Sequence, residues 1–232
     1  MTNGLPLVSF ACSLPAGPAS AYLFLSALVE GLVKVVVIGG HGTIGTKVVE
    51  ALSNKGHQVS EVSRKSVPSV DLEHPQTLRA ALTPVKSFDA VVVCAGSGGW
   101  GPLEKLSDED FAFSLRSKLM GQVNVIRAAK DLVKDGGSIT VTSGMLASQP
   151  QPGSAAISLV NAGLDAFVRA AALEMPRGVR VNVVSPPWVK ESLRAMKMDD
   201  SHGMSAADVA RAYVAAVEGT MSGQVIDPAH IV

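Results

Sequence analysis

The stretch Lys34-Val35-Val36-Val37-Ile38-Gly39-Gly40-His41-Gly42-Thr43-Ile44-Gly45 decides the fold. Val35 to Ile38 are all β-branched, a run too short for a helix and suited to a parallel strand buried on both faces. The run then breaks into glycines, and residues 46–54 follow with the apolar spacing of an amphipathic helix. Gly40, Gly42 and Gly45 satisfy the G-x-G-x-x-G spacing. In that pattern the first glycine permits a tight turn, the second admits a pyrophosphate and the third lets helix pack on strand. The helix start supplies unpaired N–H groups and partial positive charge to phosphate oxygens. A merely structural glycine turn would need neither the strand before it nor the helix after it.

Outward from this unit, strand-like and helix-like patterns alternate to the end of the chain. That order predicts a single α/β domain, a doubly wound parallel sheet of Rossmann type with right-handed crossovers. Strands are expected at 35–38, 58–63, 90–94, 138–142, 179–184 and 224–226, and helices at 46–54, 75–82, 108–133, 155–175 and 206–218. Lys55-Gly56 closes the first helix with glycine in its usual place. Ser107-Asp108-Glu109-Asp110 opens the long helix like a capping box, and Phe111, Leu115, Leu119, Val123 and Ile126 recur at helical spacing as core positions.

The chain has 232 residues, enough for one sizeable core, and nothing in its middle reads as a linker. With 47% apolar residues, 17% charged residues and 20 basic against 20 acidic side chains, it is neither a disordered chain nor a binder of nucleic acid. The cysteines are Cys12 and Cys94, and Cys94 ends an apolar run, so burial as a small hydrophobe is expected. No metal-ligand spacing occurs among the histidines, and His57, His74, His202 and His230 read as solvated loop residues. In residues 1–32, Pro15 and Pro18 interrupt two apolar runs, which leaves no uninterrupted stretch of about 20 apolar residues to cross a membrane. Ala19-Ser20-Ala21 looks like a secretory cleavage triplet, but no positive charge precedes Lys34. The expectation is a poorly ordered or loosely docked extension over 1–32, a folded domain over 33–232, and a cytoplasmic protein.

From Val33 to Asp227 the order of pieces resembles the short-chain dehydrogenase/reductase family. The resemblance is carried by Gly39 to Gly45 as phosphate loop, Val70-Asp71-Leu72 as adenine-side turn, and Cys94-Ala95-Gly96 in the place of the family's Asn-Ala-Gly. Further along it is carried by residues 137–143, by 180–189 with Pro186, Trp188 and Val189, and by 222–225. It implies a nicotinamide cofactor held by Gly39, Gly40, His41, Gly42, Thr43, Ile44 and Gly45, by Ser63, Arg64, Asp71 and Leu72, by Cys94, Ala95 and Gly96, and by Asn161, Pro186, Trp188 and Val189. At the tip of the second strand stands Ser63-Arg64-Lys65. Arg64 offers a planar fork to a 2′-phosphate, which favours NADP(H); the alternative is that Arg64 and Lys65 merely solvate a loop. Glu61 precedes the tip by too much to select NAD and is expected to face solvent or a neighbouring helix. His41 either approaches the adenosine phosphate or is simply exposed.

The catalytic half departs from the family pattern. Members carry Tyr and Lys four residues apart, the phenol exchanging the substrate proton and the ammonium lowering its pKa. Here Ile157 and Asn161 fill those places, and neither substitutes chemically, although Asn161 can hydrogen-bond a ribose. Ser143 takes the serine's place at the carboxyl edge of the sheet, either to orient a substrate oxygen or only to close a strand into Ser143-Gly144. Lys118 stands where the family commonly has Asn; it is either a proton donor with a pKa depressed by a partly desolvated cleft or a helical lysine reaching solvent. Thr43 replaces the middle glycine of the phosphate loop, and Pro187 replaces the glycine after the sixth strand of the family. Residues 188–203 occupy the place of the substrate lid, with Met196, Met198 and Met204 lining an apolar pocket or simply packing.

Two functions follow from these residues. One is an atypical NADP(H)-dependent oxidoreductase acting on a small carbonyl or alcohol through Ser143 and Lys118; the other is a non-catalytic NADP(H)-binding redox sensor. A homodimer or homotetramer is implied by the two long helices, whose alanine-rich faces, such as Ala170-Ala171-Ala172, allow close approach.

Overall fold

The computed structural model describes residues 31–85 and 87–231, and the chain from Val33 onward forms one compact unit. The expectations for residues 1–30, including Cys12 and the Ala19-Ser20-Ala21 triplet, lie outside the described residues. Six parallel strands form one sheet in the order β2-β1-β3-β4-β5-β6. They are β1 (Lys34–Ile38), β2 (Gln58–Val62), β3 (Phe88–Val93), β4 (Val133–Thr142), β5 (Arg180–Val184) and β6 (Val225–Ile226). The helices are α1 (Thr43–Asn54), α2 (Pro75–Leu82), α3 (Asp108–Ser114), α4 (Gly121–Ala129), α5 (Ala155–Ala171), α6 (Lys190–Ala195) and α7 (Ala206–Glu218).

The strand interiors alternate between two cores. Val36, Ile38, Val91, Val93, Ile139 and Val141 pack with Leu78 of α2, Ile126 of α4 and Leu164 of α5, while Val35, Val37, Ala90 and Val92 pack with Leu52 of α1 and Tyr213 of α7. Helices on both faces explain why β1 and β3 are almost continuous valine. β1 pairs with β2 on one side and β3 on the other, so the strand order reverses at β1. Open α/β sheets bind ligands at the carboxyl ends beside such a reversal. The stretch Ala155–Glu174 is long and apolar enough to cross a membrane, but its Val160, Leu164 and Val168 are buried in the core.

Several boundaries differ from expectation, each for a local reason. The helix expected over 108–133 divides into α3, a π turn over Leu115–Met120 and α4. The turn widens where the loop after β3 crosses: a Cβ on Gly96 (φ +120°) would lie 3.1 Å from Lys118 Cα, and Ser97 N–H donates to Ser117 Oγ at 3.3 Å. Beyond Ala129 the chain enters β4 at Val133, which pairs with Phe88, so β4 is longer than the expected 138–142. α5 stops at Ala171 and tightens into a 3₁₀ turn over Ala172–Glu174. The expected capping box at Ser107 is present, with Ser107 and Asp110 exchanging side-chain-to-backbone bonds. His57 is not a solvated loop residue. It is buried, accepts from Val33 N–H at 3.3 Å through Nδ1 and places Nε2 3.0 Å from Glu218 Oε1, tying the start of β2 to the end of α7.

Candidate cofactor and active site

The phosphate loop is shaped by its backbone. Gly39 holds φ at +85°, and Gly42 N–H donates to the Gly39 carbonyl at 3.0 Å, so Gly39 rather than Gly40 makes the turn. A Cβ on Gly45 would run into the Gly39 carbonyl, which is why only glycine lets α1 pack here. Gly42 is the N-cap of α1 and no side chain caps that end, leaving first-turn N–H groups for a ligand. Gly40 serves a different neighbour: a Cβ on it would lie 2.6 Å from Glu61 Oε2. Glu61 therefore does not turn to a helix. It leans over the loop with Oε2 3.3 Å from His41 Nδ1.

A cleft of about 700 Å³ opens at the carboxyl ends of β1, β2 and β3. Of the expected cofactor residues, Gly39, His41, Gly42 and Thr43, Ser63 and Arg64, Asp71 and Leu72, and Cys94, Ala95 and Gly96 line it. Gly40 and Gly45 lie behind the loop against Glu61 and Gly39, and Ile44 packs into the α7-side core. Asn161, Pro186, Trp188 and Val189 do not line this cleft. Lys65, Glu73, Ser97, Ser117 and Ser192 do, although sequence reasoning missed them as site residues. Lys65 had a signal, since it adjoins Arg64. Ser192, on α6 in the lid segment, had none.

The adenosine end is pre-formed. Ser63 Oγ accepts from Lys65 N–H at 3.1 Å, Ser63 N–H donates to Ser66 Oγ at 2.9 Å, and the Ser63 carbonyl accepts from Val70 N–H at 2.9 Å. These bonds hold Arg64 and Lys65 at the rim, where neither enters an ion pair among the described residues. Thr77 Oγ1 holds the main chain at Asp71, whose Oδ1 accepts from Glu73 N–H at 3.1 Å. Cys94 turns its thiol toward Tyr213, and burial pushes that thiol up to about 12, so it is inert. An open helix start, a glycine turn and two cations without an ion-pair partner among the described residues fit a dinucleotide bearing an extra phosphate.

The opposite end is built from side chains. Ile157, in the expected tyrosine place, packs against the loop after β3: a Cβ on Gly98 would lie 2.7 Å from Ile157 Cδ1. That loop is pinned by Gly99 N–H donating to Ser114 Oγ at 2.7 Å and Gly101 N–H donating to the Gly153 carbonyl at 2.9 Å. Trp188 stands edge-on to Trp100 with ring centroids 5.7 Å apart, bridging two loops. Pro186 offers its carbonyl to Met145 N–H, and Val189 pairs with Met204 at the base of the lid. Met196 and Met198 are half exposed and do not line the cleft beside β1.

Between the two ends lies a buried polar cluster. Lys118 is 8% exposed and Asn161 2%, with Ser143 and Asp165 also buried. Burial lowers Lys118 from 10.5 to about 8, the charge of Asp165 partly opposing it. Burial likewise raises Asp165, opposed first by the neighbouring Ser143 hydroxyl. Among the described residues no hydrogen-bond partner meets the geometry for Ser143 Oγ, Asn161 Oδ1 or Asp165 Oδ1. Ser143 and Asn161 thus gather with Lys118 behind Gly96 rather than on the cleft wall, and Lys118 does not reach solvent freely. Asp165, one helical turn beyond Asn161, was missed in the sequence because an acid on a helix ordinarily reads as surface.

The family described as enoyl-(acyl carrier protein) reductase matches residues 39–222. The 3-oxoacyl-[acyl-carrier-protein] reductase of Mus musculus is 26% identical over 178 residues, covering 68% of this chain and 75% of that protein. Among solved structures, the protein lin1944 from Listeria innocua is 34% identical with a TM-score of 0.80, covering 84% of this chain and 98% of its own. A small-chain dehydrogenase solved in complex with NADPH is 25% identical with a TM-score of 0.75, covering 84% of this chain and 96% of its own.

Proposed function

The chain belongs to the short-chain dehydrogenase/reductase family of oxidoreductases, and from that premise we propose that it binds NADP(H) and exchanges a hydride with a small carbonyl or alcohol. Arg64 and Lys65 would hold the 2′-phosphate, the start of α1 the diphosphate, and the Asp71 turn the adenine side. The cofactor, when bound, supplies the hydride chemistry itself. The observation that carries the reading is Lys118, an ammonium buried beside Gly96, where desolvation lowers its pKa to about 8. It takes over the charge and proton that Tyr and Lys provide elsewhere in the family, while Asn161 and Ser143 orient it with the substrate oxygen. Asp165 keeps that ammonium charged. We assign the protein to the cytoplasm. The exposed strip of α5 from Leu159 through Ala162 and Ala166 is proposed to bury against a second copy, which light scattering after size exclusion would test.

A second reading is favoured by Ile157, which packs where a phenol would stand: a protein that binds NADP(H) without turnover and reports it to a partner. Titration with NADPH, NADP⁺, NADH and NAD⁺, followed by a carbonyl panel read by loss of reduced-nicotinamide absorbance, separates the two. Turnover lost in Lys118→Ala with NADPH affinity kept supports the enzyme; binding with no turnover across the panel supports the sensor.

A further inference from the structure

On the reading that the chain is an NADP(H)-dependent oxidoreductase, we propose that Trp100 and Trp188 are its substrate-specificity residues and that they select a carbonyl or alcohol carried on an aromatic ring. The chain has 2 tryptophans, and although far apart in sequence they meet edge to face, with centroids 5.7 Å and planes 70° apart. Trp100 is nevertheless 50% exposed and Trp188 half-buried. This open surface is held in place. Gly99 and Gly101, on either side of Trp100, donate their N–H groups to Ser114 Oγ at 2.7 Å and to the Gly153 carbonyl at 2.9 Å. Gly153, at φ +88°, brings its backbone up to the ring: a Cβ there would lie 3.3 Å from Trp100 Nε1. Trp188 follows Pro187, and its carbonyl accepts from Met204 N–H at 2.9 Å. An apolar surface that is pinned yet left open is preorganised for a ligand, since little is left to order at binding.

Both indoles stand next to the buried polar cluster. Trp100 lies four residues beyond Gly96, which packs on Lys118, so at most about 14 Å of extended chain separates it from that contact. Trp188 lies two residues beyond Pro186, whose carbonyl is 3.8 Å from where a Cβ on Gly144 would be; the same Cβ would lie 3.0 Å from Asn161 Nδ2. A substrate with its oxygen at the cluster therefore has its body at the tryptophans. Two rings at this angle wall a corner in which a flat ring stacks on one and meets the other edge-on. A hydroxyl-rich body would find the amides beside Trp100 already spent on Ser114 and Gly153. A cationic body would find nearby acids spent as well: Asp110, against Gly99, accepts from Ser107 N–H at 2.8 Å, and Glu191 accepts from Ala206 N–H at 2.9 Å.

The test uses the full chain with acetophenone and cyclohexyl methyl ketone, which differ in the π face and little in size. With NADPH, wild type should show a kcat/KM about 5-fold higher for acetophenone. Trp100→Ala and Trp188→Ala should each lower that value about 10-fold and erase the preference, with NADPH affinity kept within about 2-fold as proof of folding, while Trp100→Phe should keep the preference. Tryptophan fluorescence, which these 2 residues alone supply, should be quenched saturably by acetophenone and not by cyclohexyl methyl ketone. Equal turnover of the two ketones, or an equal loss for both in the alanine variants, would overturn the assignment. So would saturable quenching by phenyltrimethylammonium at lower concentration than by acetophenone, which would make the corner a cation site. If neither ketone is turned over, the oxidoreductase reading falls on its own, and the quench decides the rest: saturation by acetophenone upholds the aromatic site, and its absence overturns it.

Discussion

The two ends of the cleft are made of different material. At the phosphate end the working groups are amides and carbonyls placed by Gly39, Gly42 and Gly45, and side chains enter only at the Arg64–Lys65 rim. Beyond Gly96 the polar groups are side chains, Lys118, Ser143, Asn161 and Asp165, buried rather than set on the cleft wall. Backbone sites depend on where a Cβ is forbidden, so they tolerate almost no change in glycine pattern. Side-chain sites tolerate exchange of one polar group for another, and on the proposed reading Lys118 in the π turn and Asn161 on α5 are such an exchange. The diphosphate grip and the chemistry can therefore diverge independently.

The sharpest way to break that contrast is Gly45→Val. Its side chain would drive into the Gly39 carbonyl, a backbone atom that cannot rotate away. A stability loss of roughly 3–5 kcal/mol in chemical denaturation is expected, with NADPH binding no longer measurable. Wild-type affinity in this variant would show that the amides do not form the grip. Arg64→Ala comes next and concerns one of the two cations at that end. Losing a charge-assisted bond to the 2′-phosphate should weaken NADPH by roughly 10- to 100-fold while leaving NADH nearly unchanged, as read by calorimetry.

These differences also explain what the sequence made legible. The doubly wound sheet was readable because Val35 to Ile38 and Val91 to Val93 are buried on both faces, and burial on both faces writes itself as unbroken β-branched runs. The phosphate loop was readable for a similar reason, since a forbidden Cβ must be written as glycine. Yet the spacing pointed to Gly40 as the turn residue, and the turn is made by Gly39; spacing alone does not say which glycine has positive φ. His57 was misread because its partner, Glu218, is set by how elements stack, not by neighbours in the chain. Lys118 was visible as an odd residue, but it lies in the π turn packed against Gly96, and no local pattern announces that turn.

A third test asks whether the far end can be returned to the family pattern. Ile157→Tyr with Asn161→Lys restores the pair on paper, but Ile157 is packed under Gly98 and that loop is pinned at Gly99 and Gly101. A phenol forced there should cost about 1–3 kcal/mol in thermal or chemical unfolding and should not raise turnover. Gain of activity without loss of stability would mean that the loop moves freely, and the exchange of roles with Lys118 would lose its support.

The smallest effect expected is on stability, and it has the opposite sign. Lys118→Met removes a buried ammonium whose folded pKa, about 8, lies below its ordinary 10.5. Below pH 8 wild type must keep that charge desolvated, whereas between pH 8 and 10.5 the unfolded chain binds the proton and the folded one releases it. Wild type therefore gains stability relative to the variant as pH rises through that window. The full shift corresponds to roughly 3 kcal/mol, but Met also leaves Asp165 without its counter-charge, so a net gain of about 1 kcal/mol for the variant is expected at pH 7. That advantage should fade toward pH 10.5 in denaturation curves recorded across the range. A variant less stable than wild type at pH 7, with a gap that does not change with pH, would mean that Lys118 is an ordinary packing residue, and the far end of the cleft would have no proton to give.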